Sequence, residues 1–132
     1  MERQRIPAGS PWGDVVGYSR AVKAGNVIFV AGTTASGPDG KALHPGDPGK
    51  QAEVILQRIE AALHELGAGL DDVVETRIYV RDIARWEAVG RAHGAAFGKA
   101  RPASAMVEVS ALISPDLLVE ISAIAVVGDA RP

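Results

Sequence analysis

The sequence predicts an α+β fold in one domain, residues 1–132, with its elements in the order ββαβαββ. Segments in which apolar and polar residues alternate, as in strands, lie on both sides of two segments with helical periodicity. Glycines and prolines separate these segments and indicate turns. A length of 132 residues suits one hydrophobic core, and 47% hydrophobic with 23% charged residues is typical of a globular protein.

The first half of the chain predicts a hairpin, a long loop and a helix. Strands are expected over residues 15–21 and 26–31, with Gly25-Asn26 in the turn. Residues 32–49 are rich in glycine and proline and predict a surface loop. Asp47-Pro48 is a typical helix start, and the helix should end near Gly67. Its apolar stripe comprises Ala52, Ile55, Leu56, Ile59, Leu63 and Leu66.

The second half predicts a strand, a helix and two further strands. Residues 73–81 alternate, with Val74, Thr76, Ile78 and Val80 on one side and Glu75, Arg77, Tyr79 and Arg81 on the other. Asp82 is expected to cap a helix that ends near Gly98, and Gly90 and Gly94 are expected to allow close packing. The stripe of this helix comprises Ile83, Trp86, Val89, His93 and Phe97. Strands at residues 104–110 and 117–127 follow, with a turn at residues 114–116.

The last strand is apolar on both sides, apart from Glu120 and Ser122. Two helices can cover only one face of such a sheet, so the other face needs a cover that one chain does not supply. We therefore expect further copies of the chain to cover it.

Composition excludes several classes of function. The chain has no cysteine, which rules out disulfides, thiolate nucleophiles and cysteine-based metal sites. A net charge of -2 with scattered basic residues predicts no nucleic-acid partner. His44, His64 and His93 lie in a loop, on a helix flank and on an inner helix stripe, which predicts no metal site. The sequence contains no nucleotide-binding motif, so no cofactor is expected. No apolar segment is typical of a membrane span or a secretory signal, so a cytoplasmic location is expected.

Residues 101–127, RPASAMVEVSALISPDLLVEISAIAVV, resemble the signature of the Rid family, the YjgF/YER057c-type reactive intermediate deaminases. The matching motifs are Pro102-Ala103 at the start of one strand and Val-Glu-Ile around Glu120 in the next. This resemblance implies a chorismate-mutase-like fold with a mixed sheet, a homotrimer and sites in the clefts between subunits. It also implies that Glu120 orients the water that attacks an imine carbon and releases ammonia. The alternative for Glu120 is a solvated position or an intersubunit salt bridge.

The sequence departs from this family at the strand that Pro102 opens. Ser104 stands where the family has a substrate-binding arginine, and Met106 where a cysteine is frequent. A serine hydroxyl cannot replace the fork of donors that arginine offers to a carboxylate. The resemblance therefore implies an apolar, weakly cationic cleft with poor activity on 2-aminoacrylate-type imino acids. Alternatively, Ser104 and Met106 are ordinary strand residues without a role in binding.

Further candidates for substrate binding come from the same resemblance. Tyr18 matches a tyrosine of the family's cleft, and alternation places Arg20 on the same side of its strand. Arg20 is thus a candidate anion binder or, alternatively, a surface arginine. Gly32 permits close approach of a ligand to the backbone or simply ends the strand. Arg101 is a weaker candidate cation, and Gly90 stands where the family often has an asparagine.

Four functions are compatible with the predicted fold, and the sequence favours the first two. The first is a hydrolase that deaminates small imine, enamine or related C=N or amide compounds, with Glu120 acting on water. The second is a trimer without catalytic activity that binds a small molecule or a partner protein. An endoribonuclease is disfavoured by the acidic balance of charge. A chorismate mutase is disfavoured because its cleft must be cationic.

Overall fold

The computed structural model describes residues 2–128 and shows a mixed sheet with two helices on one face, as expected, with six strands where the sequence predicts five. The strands lie in the order β1-β2-β3-β6-β4-β5. Within residues 2–128, only β4 and β5 pair in parallel; the other neighbouring strands are antiparallel. The strands are β1 (Arg3–Pro7), β2 (Ser19–Ala24), β3 (Val27–Thr33), β4 (Val73–Val80), β5 (Ala103–Glu108) and β6 (Val119–Val126).

The N-terminal region differs from the prediction in two ways. Residues 3–7, for which no strand was predicted, form β1 and pair with β2 from Arg3 opposite Ala24 onward. The predicted first strand at residues 15–21 begins only at Ser19, because Gly13–Gly17 forms a π-helical turn and Gly17 has a φ of 82°. Val15 and Val16 are therefore exposed instead of paired. The turn at Gly25-Asn26 is confirmed, and residues 22–24, expected in the connection, belong to β2.

Helix α1 (Pro48–Glu65) is the element that the sequence predicts best. The carboxylate of Asp47 accepts a hydrogen bond from the backbone N–H of Lys50 at 3.0 Å, and Pro48 occupies the first helical position. The whole predicted stripe is buried. Burial of this stripe against β3 and β6 provides most of the packing between helix and sheet.

Helix α2 (Trp86–Phe97) is preceded by a 3₁₀ turn, Ile83–Arg85, which the carboxylate of Asp82 caps. This turn changes the periodicity, so Ile83 and Trp86 are exposed, and the prediction that they face the core is wrong. Gly94 would have no atom within 4 Å of an added Cβ, so it serves no close contact. The tight approach of the helices is at Gly49, where a Cβ would lie 3.3 Å from the Cβ of Ala88.

The two faces of the sheet differ in burial. In β6 the residues facing the helices, from Val119 to Ala125 at every second position, are fully buried. The face away from the helices, which we call the open face, carries the alternate residues of the strands. Phe29 and Val107 on this face are 47% and 46% exposed. This arrangement matches the predicted uncovered face, although the trimer itself remains a prediction.

Candidate functional site

Glu120 lies on the open face near the start of β6, one of the two central strands. Tyr79 of β4 stands directly opposite to it in the antiparallel pairing. Glu120 is half-buried, and this burial raises the pKa of its carboxyl, because the charged form loses hydration. The positive charge of Arg20 opposes this effect and lowers the pKa. The effect of burial is the larger of the two, so the pKa of Glu120 is raised overall.

Gly32 of β3 makes room for this carboxylate. The pairing of β3 with β6 shifts between Val30 and Thr33, so β3 carries one extra residue beside Glu120. A Cβ on Gly32 would lie 3.0 Å from Cδ of Glu120, closer than carbon atoms pack. β3 ends at Thr33, one residue after Gly32. A residue without a side chain is needed at position 32 because the Glu120 carboxylate packs against its backbone.

The side chain of Arg20, in β2, reaches the backbone of Gly32 in the neighbouring strand β3. Its Nη1 donates to the carbonyl oxygen of Gly32 at 3.3 Å and to Oγ1 of Thr33 at 3.0 Å. Its Cζ lies 6.0 Å from the centre of the Tyr18 ring, within the range of a cation–π contact. Tyr18, Arg20, Gly32 and Glu120, all predicted from the sequence, thus lie together at one end of the sheet.

Arg58 of α1 fixes the chain beyond β3. Its two terminal nitrogens donate to the carbonyl oxygens of Thr34 at 2.7 Å and Ser36 at 2.8 Å. Burial lowers the pKa of Arg58, and the positive charge of Arg20 lowers it further. The sequence analysis did not single out Arg58, because its role depends on a contact between residues far apart in the sequence.

A shallow depression of about 310 Å³ opens at Glu120. Its wall includes residues that the sequence analysis had not assigned to a site. Alternation had placed Tyr79 on the same side of its strand as Glu75 and Arg77, and only the pairing of β4 with β6 brings it to Glu120. The lining residues are Gly32, Tyr79, Val109, Leu112, Glu120 and Ser122.

Ser104 and Met106 lie on the opposite face of the sheet, which carries the helices. Ser104 pairs with Thr76 in the parallel register, and its Oγ accepts a hydrogen bond of 2.8 Å from Oγ1 of Thr76. The Thr76 hydroxyl also lies 2.8 Å from Nε2 of His93, whose pKa is lowered by burial. Met106 packs against the core. Within one chain, neither residue shares the depression with Glu120, so their expected place in a cleft requires a second chain.

The remaining predicted positions lie away from Glu120. Arg101 precedes β5 with a φ of 49°, and its backbone N–H donates to the carbonyl of Phe97 at 2.8 Å. A Cβ on Gly90 would lie 3.5 Å from the ring of Trp86. Among residues 2–128, no cluster of three or more His, Asp or Glu side chains is placed to hold a metal ion. None of the described helices combines the length and apolarity that a membrane crossing requires.

Comparison with known proteins identifies the family. A family model described as Endoribonuclease L-PSP matches residues 11–127. The chain belongs to this family, which is also called the YjgF or Rid family. A structure of a YjgF/YER057c/UK114 family member from Mycobacterium tuberculosis is 52% identical, with a TM-score of 0.86 over 96% of this chain and 100% of the other.

Two relatives within this family are RutC-type proteins. A RutC family protein from Pyrococcus abyssi is 39% identical over 108 residues, which are 82% of this chain and 84% of the relative. The protein from Acinetobacter baylyi named 3-aminoacrylate deaminase RutC is 33% identical over 120 residues, which are 91% of this chain and 94% of the relative. The Rid family assignment made from residues 101–127 is confirmed.

Proposed function

We propose that this protein is a RidA-like hydrolase that deaminates small imine, enamine or related C=N or amide compounds. The reaction would take place in a cleft between the subunits of a homotrimer, and Glu120 would act on the attacking water. The observation that carries this proposal is the half-buried Glu120 carboxyl in the depression, with a raised pKa and with Arg20 nearby. The name of the Acinetobacter relative, a deaminase, supports the same chemistry.

The proposed reaction converts an imine and water into a carbonyl compound and ammonia. Solvent supplies a proton to the imine nitrogen, and the Glu120 carboxylate accepts a proton from water as the water oxygen bonds to the imine carbon, which gives a carbinolamine. The same carboxyl then returns its proton to the amine nitrogen, and the C–N bond breaks so that ammonia leaves. The hydroxyl group of the carbinolamine releases its proton to solvent as the C=O bond forms. A carboxyl whose pKa is raised towards the working pH is more effective in both transfers.

The open face supports the homotrimeric part of the proposal. It carries exposed apolar side chains such as Phe29 and Val107 beside the site, and large apolar patches on soluble proteins mark contacts with other chains. A second subunit would close the shallow depression and exclude water. In that assembly the edge strand β5, with Ser104 and Met106, would contribute to the cleft of a neighbouring subunit.

The decisive variant is Glu120→Gln, which keeps the shape of the side chain and removes the base. We expect ammonia release from a panel of small imines and amides to fall about 10²- to 10⁴-fold, with the sedimentation coefficient unchanged. Glu75→Gln is the matched control, because Glu75 lies on the same face and pairs with Arg77 at 3.2 Å.

The outcomes separate the two leading functions. Wild-type turnover in Glu120→Gln would remove Glu120 from the mechanism. Ligand binding without turnover by the wild-type protein across the panel would instead favour the trimer without catalytic activity. A well-ordered monomer in sedimentation would contradict the intersubunit cleft.

A further inference from the structure

Three polar side chains form a hydrogen-bonded chain on the face of the sheet that carries the helices. Oγ1 of Thr76, in β4, lies 2.8 Å from Oγ of Ser104, in β5, and 2.8 Å from Nε2 of His93, in α2. Thr76 is only 1% exposed, whereas Ser104 is an exposed residue of the last strand of the sheet. The chain therefore leads from the half-buried imidazole of His93, through a buried hydroxyl, to a hydroxyl that solvent reaches.

His93 is oriented as a base for this chain. Its ring packs on the buried ring of Phe97, with 4.7 Å between the ring centres, and this contact helps to hold Nε2 towards Thr76. Burial lowers the pKa of His93 below its ordinary value of 6.5, because the charged form loses hydration. The imidazole is therefore neutral at about pH 7, and a neutral imidazole has one ring nitrogen free to accept a proton.

The direction of the two hydrogen bonds depends on which nitrogen of His93 carries its proton. With Nε2 protonated, His93 donates to Thr76, and Thr76 donates to Ser104. With Nδ1 protonated, Nε2 accepts from Thr76, whose oxygen in turn accepts from Ser104. The hydroxyl hydrogens rotate to suit either arrangement. In the second arrangement the proton of Ser104 has a continuous path to a free base, which is what a serine needs to act as a nucleophile.

The backbone of Ser104 adds a hydrogen-bond donor at the same place. In the pairing of β5 with β4, the N–H of Val109 donates to the carbonyl of Val80 at 2.8 Å. Backbone N–H groups alternate in direction along a strand, so the odd-numbered residues of β5 face β4 and the N–H of Ser104 points away from it. Within residues 2–128, no strand pairs with that edge of β5. This N–H is therefore available to stabilise a negative charge that develops on oxygen.

We propose that Ser104 is a nucleophile towards small activated carboxylic esters, and that Thr76 and His93 carry its proton away. Ser104 and its N–H touch the substrate, while Thr76 and His93 act through it. The inference goes beyond the proposed function, since the reacting group is a hydroxyl on the helix-bearing face and not the Glu120 carboxyl on the open face.

The proposed reaction begins with transfer of the acyl group. Oγ of Ser104 bonds to the carbonyl carbon of the ester, its hydrogen passes to Oγ1 of Thr76, and the hydrogen of Thr76 passes to Nε2 of His93. The carbonyl oxygen takes the negative charge and accepts a hydrogen bond from the N–H of Ser104. The C=O bond then re-forms as the bond to the leaving oxygen breaks. The leaving group departs as an anion, and His93 releases its added proton to solvent.

Hydrolysis of the acyl-serine uses the same groups. The oxygen of a water molecule bonds to the acyl carbon, and one proton of the water passes through Thr76 to His93. The Ser104 oxygen then leaves the carbon and takes this proton back through Thr76, which gives a carboxylic acid and the free serine. No group of the chain donates a proton to the leaving oxygen in the first step, so the proposed substrates are esters whose leaving group is stable as an anion.

The test uses p-nitrophenyl acetate and the assembled protein. Release of p-nitrophenolate gives the rate, and mass spectrometry of peptides locates the acetyl group. We expect the acetyl group on Ser104, with no such adduct in Ser104→Ala and an unchanged rate in Ser110→Ala, at another exposed serine. Thr76→Val keeps the shape without the hydroxyl and should slow acetylation about 10²- to 10⁴-fold, as should His93→Gln. Thr76→Ser should restore most of the rate, and His64→Gln, at an exposed histidine of α1, is the matched control.

Three results would overturn the inference. The first is an acetyl group on lysine side chains and none on Ser104 in the wild-type protein. The second is a wild-type rate in His93→Gln, which decides the matter even if Thr76→Val does not fold. The third is a Thr76→Ser variant that folds and is as slow as His93→Gln, because a hydroxyl at position 76 would then not carry the proton.

Discussion

Substitution of Gly32 by alanine should separate activity from stability. The added Cβ would lie 3.0 Å from Cδ and 3.4 Å from Cγ of Glu120. Carbon atoms pack at about 3.5–4.0 Å, so the carboxylate must move by about 0.5–1 Å. A displacement of about 1 Å at a reacting group costs on the order of 100-fold in rate. We therefore expect kcat/KM for ammonia release to fall about 100-fold in Gly32→Ala.

The stability of Gly32→Ala should change little. The φ of Gly32 is not in the left-handed region, so alanine is compatible with the backbone. Reduced freedom of the unfolded chain contributes about 0.4–1 kcal/mol of stability, and rotation of Glu120 away from its preferred position costs about 0.5–1.5 kcal/mol. These effects nearly cancel, which leaves Tm within roughly 5 °C of the wild type.

The assay pairs calorimetric Tm with the rate of ammonia release. Gly94→Ala is the matched control: Gly94 lies in α2 with open space around an added Cβ, and alanine should add about 1 kcal/mol without altering the rate. Unchanged kcat/KM in a folded Gly32→Ala variant would refute the argument that the position of Glu120 against Gly32 matters. A loss of stability above about 3 kcal/mol would show that the backbone at Gly32 itself requires glycine.

Two further predictions concern buried polar groups. Gln51→Met should cost about 2–4 kcal/mol in urea unfolding, because it leaves the N–H of Leu118 and the carbonyl of Asp116, now bonded at 2.9 Å and 3.1 Å, without partners. Exposed Gln57→Met should have no such cost. Burial raises the pKa of Glu120 above its ordinary value of 4.5, so stability relative to Glu120→Gln should fall as pH rises from 4.5 through the raised pKa. A stability difference that does not vary with pH would contradict this.

The elements that sequence analysis predicted well are those with local signals. Helix α1 begins at Asp47-Pro48 and follows an unbroken helical period, and each of these features acts within a few residues. The first strand was placed too early because Val15 and Val16 resemble strand residues. Its true start at Ser19 depends on pairing with β1, which no local pattern indicates.

The site shows the same division between local and non-local information. Glu120 could be recognised because a carboxylate between apolar strand residues is costly to desolvate. Ser104 and Met106 are two residues apart, so they lie on one side of β5. Only the register with Thr76 and Ile78 shows that this side faces the helices and not Glu120.

The sequence alone determined the periodic elements, the family resemblance and the identity of one half-buried acid, because these follow from neighbouring residues. The tertiary structure decided which groups surround that acid. The β6 strand lies between β3 and β4, so Gly32 and Tyr79 meet Glu120 across strands that are distant in the chain. Strand order and register depend on the burial of the whole sheet.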